Sequence, residues 1–479
     1  MAVLIASGTD TMIGNGDVSR KGSVLNRKNV SLNKEICTRS AEKVKDAGGR
    51  AFYVGGYVRD RLLSIENKDL DIEVHGIEPQ KLYAILEEFG KPETVGSSFG
   101  VYMLRGYDVD IAMPRKETAT GKGHRDFEIT VDPFIGYEKA ARRRDFTVNA
   151  MMEDVLTGEV VDPFHGREDL ENGILRCVDP ETFIEDPLRV LRAAQFASRF
   201  AFSIDPDTLE LCKTINLSTL SKERIEEELK KALVKGRKPS IFFETLRQMD
   251  QLDVWFPEVK QLIGVRQDPI YHPEGDVWIH TMEVVDRASA YRDKVSDPFR
   301  FELLALCHDF GKIVTTSEKN GRIHAYDHEN QGLPLIRSFL GRITNEHDLI
   351  HYVVNMTSLH MKPNAVYHDK APIKTTNRMF DQADEPVDLI YMSMADKPLI
   401  MGSDVFTDSN DFLFERYEIY KETMSRPYVT GKDLIDAGLE PDESFTQILE
   451  YAHKLRLAGV EKDSALKQTL AQFKKRVKI

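Results

Sequence analysis

The hydrophobic pattern of this chain changes period once, near Asp186, and that change constrains the architecture more than any other feature. Upstream, from about residue 51 to 112, short β-rich runs (AFYVGG, DLDIEVHG, GVYMLRGYDVDIAM) surround one helical stretch, PQKLYAILEEFG, a combination that implies a small mixed sheet. Downstream, PLRVLRAAQFASRF, SKERIEEELKKALVKG and PSIFFETLRQM carry apolar residues at three- and four-residue intervals, the spacing of amphipathic helices. The expected fold class is an α+β head, a mixed sheet with helices, followed by an all-α neck, body and tail. At 479 residues the chain exceeds what one core organises. The pattern divides it into a flexible arm (1–30), a head (31–170), a neck (171–262), a histidine-rich body (263–400) and a helical tail (401–479). The polar stretch Arg115 to Asp126 has neither period and reads as a mobile loop.

Charge and cysteine usage exclude several classes. A net charge of −13 argues against a protein coated indiscriminately by nucleic acid, so any RNA contact is expected to be local, at Lys139 to Arg144 (KAARRR) or along the basic tail from Lys454 to Lys478. Cys37, Cys177, Cys212 and Cys307 are scattered without a C-x-x-C pair, which fits a reducing cytoplasm. The opening MAVLIAS has no basic lead-in and no long apolar stretch follows, so neither a signal peptide nor a membrane span is expected.

The most informative segment is VGGYVRD (Val54 to Asp60), followed by Asp69-Leu70-Asp71 within an apolar run. Paired glycines allow a sharp turn and close backbone approach to phosphates. On a strand, residues i and i+2 face the same way, so Asp69 and Asp71 project side by side, and two such carboxylates repel unless a cation lies between them. Mg²⁺ is the expected occupant, and Asp110 in DVDIAM is a third candidate ligand. Such a site suits phosphoryl transfer, one metal activating a hydroxyl and another neutralising a triphosphate. An acidic pair alone more often decorates a solvated strand face. Here it is followed in order by RRRDFTVNA (Arg142 to Ala150) and EDPLR (Glu185 to Arg189).

Taken together, these motifs resemble the class II tRNA nucleotidyltransferases, the CCA-adding enzymes and bacterial poly(A) polymerases of the DNA polymerase β superfamily, over Ala51 to Lys235. The resemblance implies a polymerase β-type head in which Gly55, Gly56 and Arg59 hold the triphosphate. Asp69, Asp71 and Asp110 would be catalytic, and Arg144 with Asp145 would lie at the ribose and phosphates. It also implies that Asp186, Arg189 and Arg192 in EDPLRVLR read the nucleobase. The chemistry is reasonable in itself: cytosine and adenine each present an amino donor beside a ring-nitrogen acceptor, which one Asp and one Arg satisfy, whereas uracil and guanine leave that pair unmatched. The ERIEEEL motif, including Arg224 and Glu228, corresponds to a brace of the neck, and VGSSFGVYML (Val95 to Leu104) sides with the CCA-adding branch. The expected reaction is addition of CMP, CMP and AMP from CTP and ATP to the tRNA 3′ end, with Arg115 and Lys116 repositioning as specificity changes from C to A. Addition of CC only, of A only, or of poly(A) remains an alternative.

Nine of the 13 histidines fall between His272 and His368. His280 in WIHT, the adjacent His308 and Asp309 in ALCHDFGK, His324 and His328 in IHAYDHE, His360 in LHMKPN and Asp396 in MSMADKP form a series that resembles the HD phosphohydrolase superfamily. Adjacent helical residues point about 100° apart, so His308 and Asp309 can share a metal only at a helix end or kink, which Gly311 is expected to permit. The resemblance implies one divalent metal on His280, His308, Asp309 and Asp396, a second on His328 and His360, and hydrolysis of a phosphate ester or 2′,3′-cyclic phosphate. This activity, with the head merely binding RNA, is the alternative from another class. His347 and His351 match nothing in the series and read as surface residues, while Trp255 and Trp278 read as core. VTGKDLIDAGL (Val429 to Leu439) is expected to be helical, with a possible tRNA contact in the tail.

Overall fold

The computed structural model describes residues 18–94, 100–119, 127–397 and 405–473. Residues 1–17, Val95 to Phe99 of the branch-distinguishing segment, 120–126 of the polar stretch and the basic end 474–479 lie outside them. The chain divides into two units, Met1–Arg189 with Ser203–Leu211, and Val190–Phe202 with Cys212–Ile479.

The first unit is built on a seven-stranded sheet of order β3-β4-β5-β2-β1-β8-β9. Its strands are β1 (Arg50–Val54), β2 (Leu70–His75), β3 (Pro92–Thr94), β4 (Val101–Leu104), β5 (Val109–Ala112), β8 (Met152–Asp154) and β9 (Val160–Val161). Only β2 and β5 pair in parallel, in the register Leu70↔Val109, Asp71↔Asp110, Ile72↔Ile111. Alternation therefore sends Leu70, Ile72, Val74, Val109 and Ile111 into the core, where the helices Val18–Asp46 and Pro79–Glu87 contribute Ile36, Cys37, Val44, Leu82 and Leu86. The other face of β2 carries Asp71, Glu73 and His75.

Two expectations are corrected here. Residues 18–30, assigned to a loose arm, belong to the helix Val18–Asp46, which buries Ile36, Ala41 and Val44 further along. Arg115 and Lys116 lie on β6 (Arg115–Ala119), paired antiparallel with β7 (Phe127–Val131). A ribbon held by main-chain hydrogen bonds needs no hydrophobic alternation, so its strand left no period in the sequence.

The second unit is helical around a core of Trp278, Phe242, Phe243, Phe256, Phe301, Phe310 and Phe339. Trp255 is half-buried and donates from its indole to the Leu217 carbonyl at 2.9 Å, so it is structural as expected. Glu228 of the bracing motif is buried and paired with Lys231 at 3.1 Å. Among the described residues the all-helical expectation fails twice, at the short parallel pair Ile174–Leu175 with Ser203–Ile204 in the neck and at the hairpin Ser317–Lys319 with Arg322–His324. Its Asn320-Gly321 turn has positive φ at both residues, a strong hairpin signal that was legible in EKNGRI. In the tail, the helices Gly431–Asp436, Phe445–Leu457 and Lys462–Gln472 enclose their own cluster of Leu434, Ile448, Ala452 and Ala465, the first helix starting with a capping box between Thr430 and Asp433. The four cysteines are unpaired, and no helix among the described residues is long and apolar enough to cross a membrane.

Candidate functional site

In the first unit the site forms where β1 ends. Gly55 turns the chain with φ 66° and ψ −132°, a conformation costly for residues with a Cβ, and Gly56 opens the helix Gly56–Leu62. A Cβ built on Gly55 would lie 3.6 Å from an Arg144 guanidinium nitrogen, so Arg144 reaches the turn. Asp69 precedes β2, with its amide donating to Asn67 Oδ1 at 2.9 Å, and Asp71 sits opposite Asp110. Burial and the charges of Asp110 and Asp69 raise the Asp71 pKa against the pull of Arg144. With Asp69 and Asp110 beside it, Asp71 belongs to a donor set of hard oxygens suited to Mg²⁺. They do not already converge as metal-ligand groups elsewhere in the chain do.

Below them lies a residue that sequence reasoning missed. Glu73 is buried, accepts from His75 Nε2 at 3.0 Å, and lies 3.3 Å from Arg144 and 3.6 Å from Arg143. Burial opposes its ionisation, yet His75 and the two arginines hold its pKa down at about 2. The signal was present, since Asp69, Asp71, Glu73 and His75 share one face at period two. The KAARRR run is accordingly partly neutralised from within: Arg142 pairs with Glu138 and Asp179, both at 2.9 Å.

Arg59 lies buried at the glycine turn. Its guanidinium is 3% exposed and donates to Asp60 Oδ1 at 2.8 and 2.6 Å and to Asn149 Oδ1 at 2.6 Å. It braces the glycine turn against the RRRDFTVNA segment, its side chain turned beside the buried Asp60 carboxylate and 3.4 Å from where a Cβ on Gly56 would lie. Asp145, also buried, accepts from the Phe146 amide at 2.8 Å and from Asn149 Nδ2 at 3.0 Å. Asp186 accepts from the Leu188 amide at 3.1 Å at the start of the helix Leu188–Phe200. Arg189 donates to the Thr182 and Arg143 carbonyls at 2.8 and 2.6 Å, and so stands beside the arginine run. Arg192, counted in the second unit, lies over Phe196 at 5.1 Å.

The second unit brings together His280, His308, Asp309, His328, His360 and Asp396, whereas His324 of the same series joins no ligand group and lines the adjoining cavity, stacked on Tyr326. His308 caps the helix Pro298–Cys307, so His308 and Asp309 lie at a helix end. Asp309 contacts His308 Nε2 at 3.3 Å, His328 Nε2 at 3.2 Å and His280 Nε2 at 3.6 Å. Asp396 lies 3.0 Å from His280 Nε2, and His328 and His360 approach through their Nε2 atoms at 3.2 Å. Two ligand groups result, His280–His308–Asp309 and Asp309–His328–His360, with Asp309 in both. Each imidazole is oriented through Nδ1: His308 on the Ala305 carbonyl, His328 on Ala325, His360 on Thr357 and His280 on Glu274. That arrangement leaves every Nε2 directed inward, as metal ligands require, so the donors fit divalent ions. Burial disfavours a charged His308, yet Asp309 and Asp396 raise its pKa to about 10 while both carboxyls are held far below the usual range.

Gly311 does not act as a flexible kink. Its φ of −64° is ordinary, and what matters is the missing Cβ, which would lie 1.8 Å from the His328 carbonyl oxygen. Sequence reasoning also missed Glu274, which holds both His280 and His272 at 2.7 and 2.9 Å, and Lys312, which lies 2.7 Å from Asp309 and donates to Gln267 at 2.7 Å. The spacing H-P-E-G-D-V-W-I-H around Glu274 was the available signal. Beside the metal-ligand groups opens a cavity of about 520 Å³ whose lining includes Arg266, Lys312, Arg322 and Lys397. His351 is exposed and paired with Asp384, and His347 is exposed, as expected of surface residues.

Known protein families match the chain in three stretches. Residues 51–176 match the Poly A polymerase head domain, 201–263 the probable RNA and SrmB-binding site of polymerase A, and 277–397 the HD domain. The Multifunctional CCA protein of Actinobacillus pleuropneumoniae serotype 5b (strain L20) is 36% identical over 316 residues, 64% of this chain and 74% of that protein. The one from Laribacter hongkongensis (strain HLHK9) is 40% identical over 298 residues, 61% and 70%. Among solved structures, the Bacillus stearothermophilus CCA-adding enzyme in complex with CTP shares the fold at a TM-score of 0.64 and 22% identity, covering 92% of this chain and 97% of that one.

Proposed function

The chain belongs to the multifunctional CCA protein family, and from that premise we propose that it adds CMP, CMP and AMP, drawn from CTP and ATP, to the tRNA 3′ end without a nucleic-acid template. The observation that carries the reading is the parallel register of Asp71 against Asp110, beside Asp69 and the Gly55-Gly56 turn that Arg144 reaches. Mg²⁺ held by Asp69 and Asp71, with Asp110 alongside, supplies the positive charge that phosphoryl transfer needs at the triphosphate. Arg144, anchored on Glu73, steadies the phosphates, and Asp145 keeps the adjoining backbone in place. The 3′ hydroxyl of tRNA attacks the α-phosphorus, the bond to pyrophosphate breaks, and Asp110 takes the hydroxyl proton. Asp186 and Arg189 read the amino and ring-nitrogen edge shared by cytosine and adenine, Arg189 exchanging its carbonyl partners for the base, with Arg192 as an accessory.

The HD unit carries a second activity in this reading, hydrolysis of a phosphate ester or a 2′,3′-cyclic phosphate. His280, His308, Asp309 and Asp396 hold one divalent ion, and His328 and His360, with Asp309 shared, hold another; bound there, the ions supply Lewis acidity toward water and the ester. Lys312 and Arg322 hold the phosphate. Water's oxygen bonds to phosphorus, the bond to a ribose oxygen breaks, and that oxygen takes the proton. Unpaired cysteines suit a cytoplasmic protein.

The test supplies Mg²⁺, labelled CTP and ATP, and tRNAs ending before C, CC and CCA, and resolves products at single-nucleotide length. Addition that stops at CCA on every substrate supports the reading. A partial end or a long A tail assigns the chain to a sibling activity, and no addition leaves the HD unit as the principal enzyme.

A further inference from the structure

On the two-ion reading of the HD unit above, we propose that Glu274 is a positioning residue that makes those positions unequal, a tight one at His280 and Asp396 and an exchangeable one at His328 and His360. Three of the four inward-facing imidazoles lean on neutral main-chain carbonyls three residues back in the chain: His308 on Ala305 at 2.8 Å, His328 on Ala325 at 2.9 Å and His360 on Thr357 at 2.7 Å. His280 alone of the four donates from Nδ1 to a carboxylate, Glu274 Oε1 at 2.7 Å. Glu329 comes only to 3.8 Å from His328 Nδ1, beyond hydrogen-bond reach. A carbonyl fixes the tautomer and the ring plane. A carboxylate does the same and also draws the Nδ1 proton toward itself, so electron density rises at Nε2 and the imidazole becomes a stronger metal donor.

Glu274 is itself held in place. Its side chain is 7% exposed, and His272 donates from Nδ1 to the same oxygen at 2.9 Å. Two residues on, Asp276 caps the helix Val277–Ala288, accepting from the Ile279 amide at 2.9 Å and the Gly264 amide at 2.6 Å, so the turn is fixed to the helix that carries His280. Glu274 Oε2 is buried without a hydrogen-bond partner, and among the described residues Glu274 forms no ion pair with a lysine or arginine. A buried carboxylate with an idle oxygen is costly unless a positive charge lies within reach. A divalent ion on Nε2 of His280, across one ring, supplies that charge. The other carboxylates favour the same position. Asp396 lies 3.0 Å from His280 Nε2 and 3.5 Å from His308 Nε2, whereas His328 and His360 have only Asp309, which both groups share. Lys312, 2.7 Å from Asp309, offsets part of the charge on that shared ligand, and among the described residues no ion pair links it to Asp396 or Glu274. The ion at His328 and His360 is therefore the one whose occupancy follows its free concentration.

The test titrates Co²⁺, an absorbing divalent probe, into the full chain stripped of metal, in an Asp71→Asn background that takes the head's ion position out of the count. Two binding phases are expected, separated by about tenfold or more. His328→Ala should remove the weaker phase alone, and Glu274→Gln placed on that variant should weaken the remaining phase about 10–100-fold. His272→Phe keeps a ring against His280, where the centroids are 4.8 Å apart, and leaves Glu274 to His280, so it should change the tighter phase by less than about threefold. A single phase, no binding, or an effect of Glu274→Gln below about threefold overturns the proposal. So does an equal loss in His272→Phe, which traces the effect to packing, or a third ion that Glu274→Gln abolishes, which makes His272, Glu274 and His280 a ligand group in their own right. Nucleotide addition, measured for the same substitutions with Asp71 intact, reports that the chain is folded. Hydrolysis of a nucleoside 2′,3′-cyclic phosphate by the wild type separates the two readings. Unequal phases without hydrolysis sink the phosphohydrolase reading alone, and hydrolysis with equal phases sinks the inequality alone.

Discussion

Replacing Gly311 by alanine tests the construction of the metal centre most directly. A Cβ at Gly311 would stand 1.8 Å from the His328 carbonyl oxygen and 2.9 Å from its Cα, and the same crowding shows from the other side, where a Cβ on Gly332 would meet the Gly311 nitrogen at 2.5 Å. Contacts under 3.0 Å do not survive in real proteins, so the His328 backbone must retreat by about 1.2 Å. The obstacle is backbone, so no rotamer change relieves it. His328 carries its Nε2 to within 3.2 Å of both Asp309 and His360, and metal–ligand distances tolerate only about 0.2 Å. A shift of that size costs on the order of 100-fold in rate and 10–100-fold in metal affinity. Overpacking costs about 1–3 kcal/mol in stability. The assay measures hydrolysis of a nucleoside 2′,3′-cyclic phosphate and bound metal by mass spectrometry, with CMP addition to tRNA in the same preparation as the internal control. Gly341→Ala is the companion, because a Cβ there meets nothing within 4 Å in the helix Leu333–Ile343; it should leave both activities intact and stabilise by about 0.5–1 kcal/mol. A Gly311→Ala enzyme that keeps hydrolysis within threefold and full metal content would refute the reasoning.

Three further outcomes are expected. Asp71→Asn should abolish nucleotide addition while leaving cyclic phosphate hydrolysis intact, and His308→Ala should do the reverse; loss of both activities in either variant would show that the sites do not act separately. Arg59→Ala should destabilise the head by about 3–5 kcal/mol, read as a lowered melting temperature, because it leaves the buried Asp60 carboxylate without its guanidinium; a change under about 1 kcal/mol would show that Arg59 is not the brace. Glu73, with an unfolded pKa near 4.5 and a folded one of about 2, contributes stability that is present above pH 4.5 and lost as the pH falls toward 2, about 3 kcal/mol in all. Glu73→Gln should flatten that acid limb of the head's unfolding curve, and an unchanged limb would place the titration elsewhere.

The sequence by itself determined the order of parts and the chemistry of each. Asp69-Leu70-Asp71, RRRDFTVNA and EDPLR marked the head because phosphate and nucleobase chemistry demand particular side chains at short spacings, and the crowding of histidines marked the second centre for the same reason. Local rules also sufficed for the amphipathic helices, and for a hairpin that the N-G turn announced and that went unread. Tertiary structure decided everything that depends on a partner distant in the chain. The register of β2 against β5 brings Asp110 opposite Asp71. Glu73 becomes the floor beneath Arg143 and Arg144 only once Arg144 folds back across 71 residues. Arg59, whose motif suggested a phosphate ligand, is drawn inward because Asn149 and Asp60 satisfy it where water cannot reach. Gly311 looked like a flexible joint in one dimension. In three it is a gap the width of a methyl group, through which one half of a metal centre packs against the other, and no local pattern in the chain encodes that closeness.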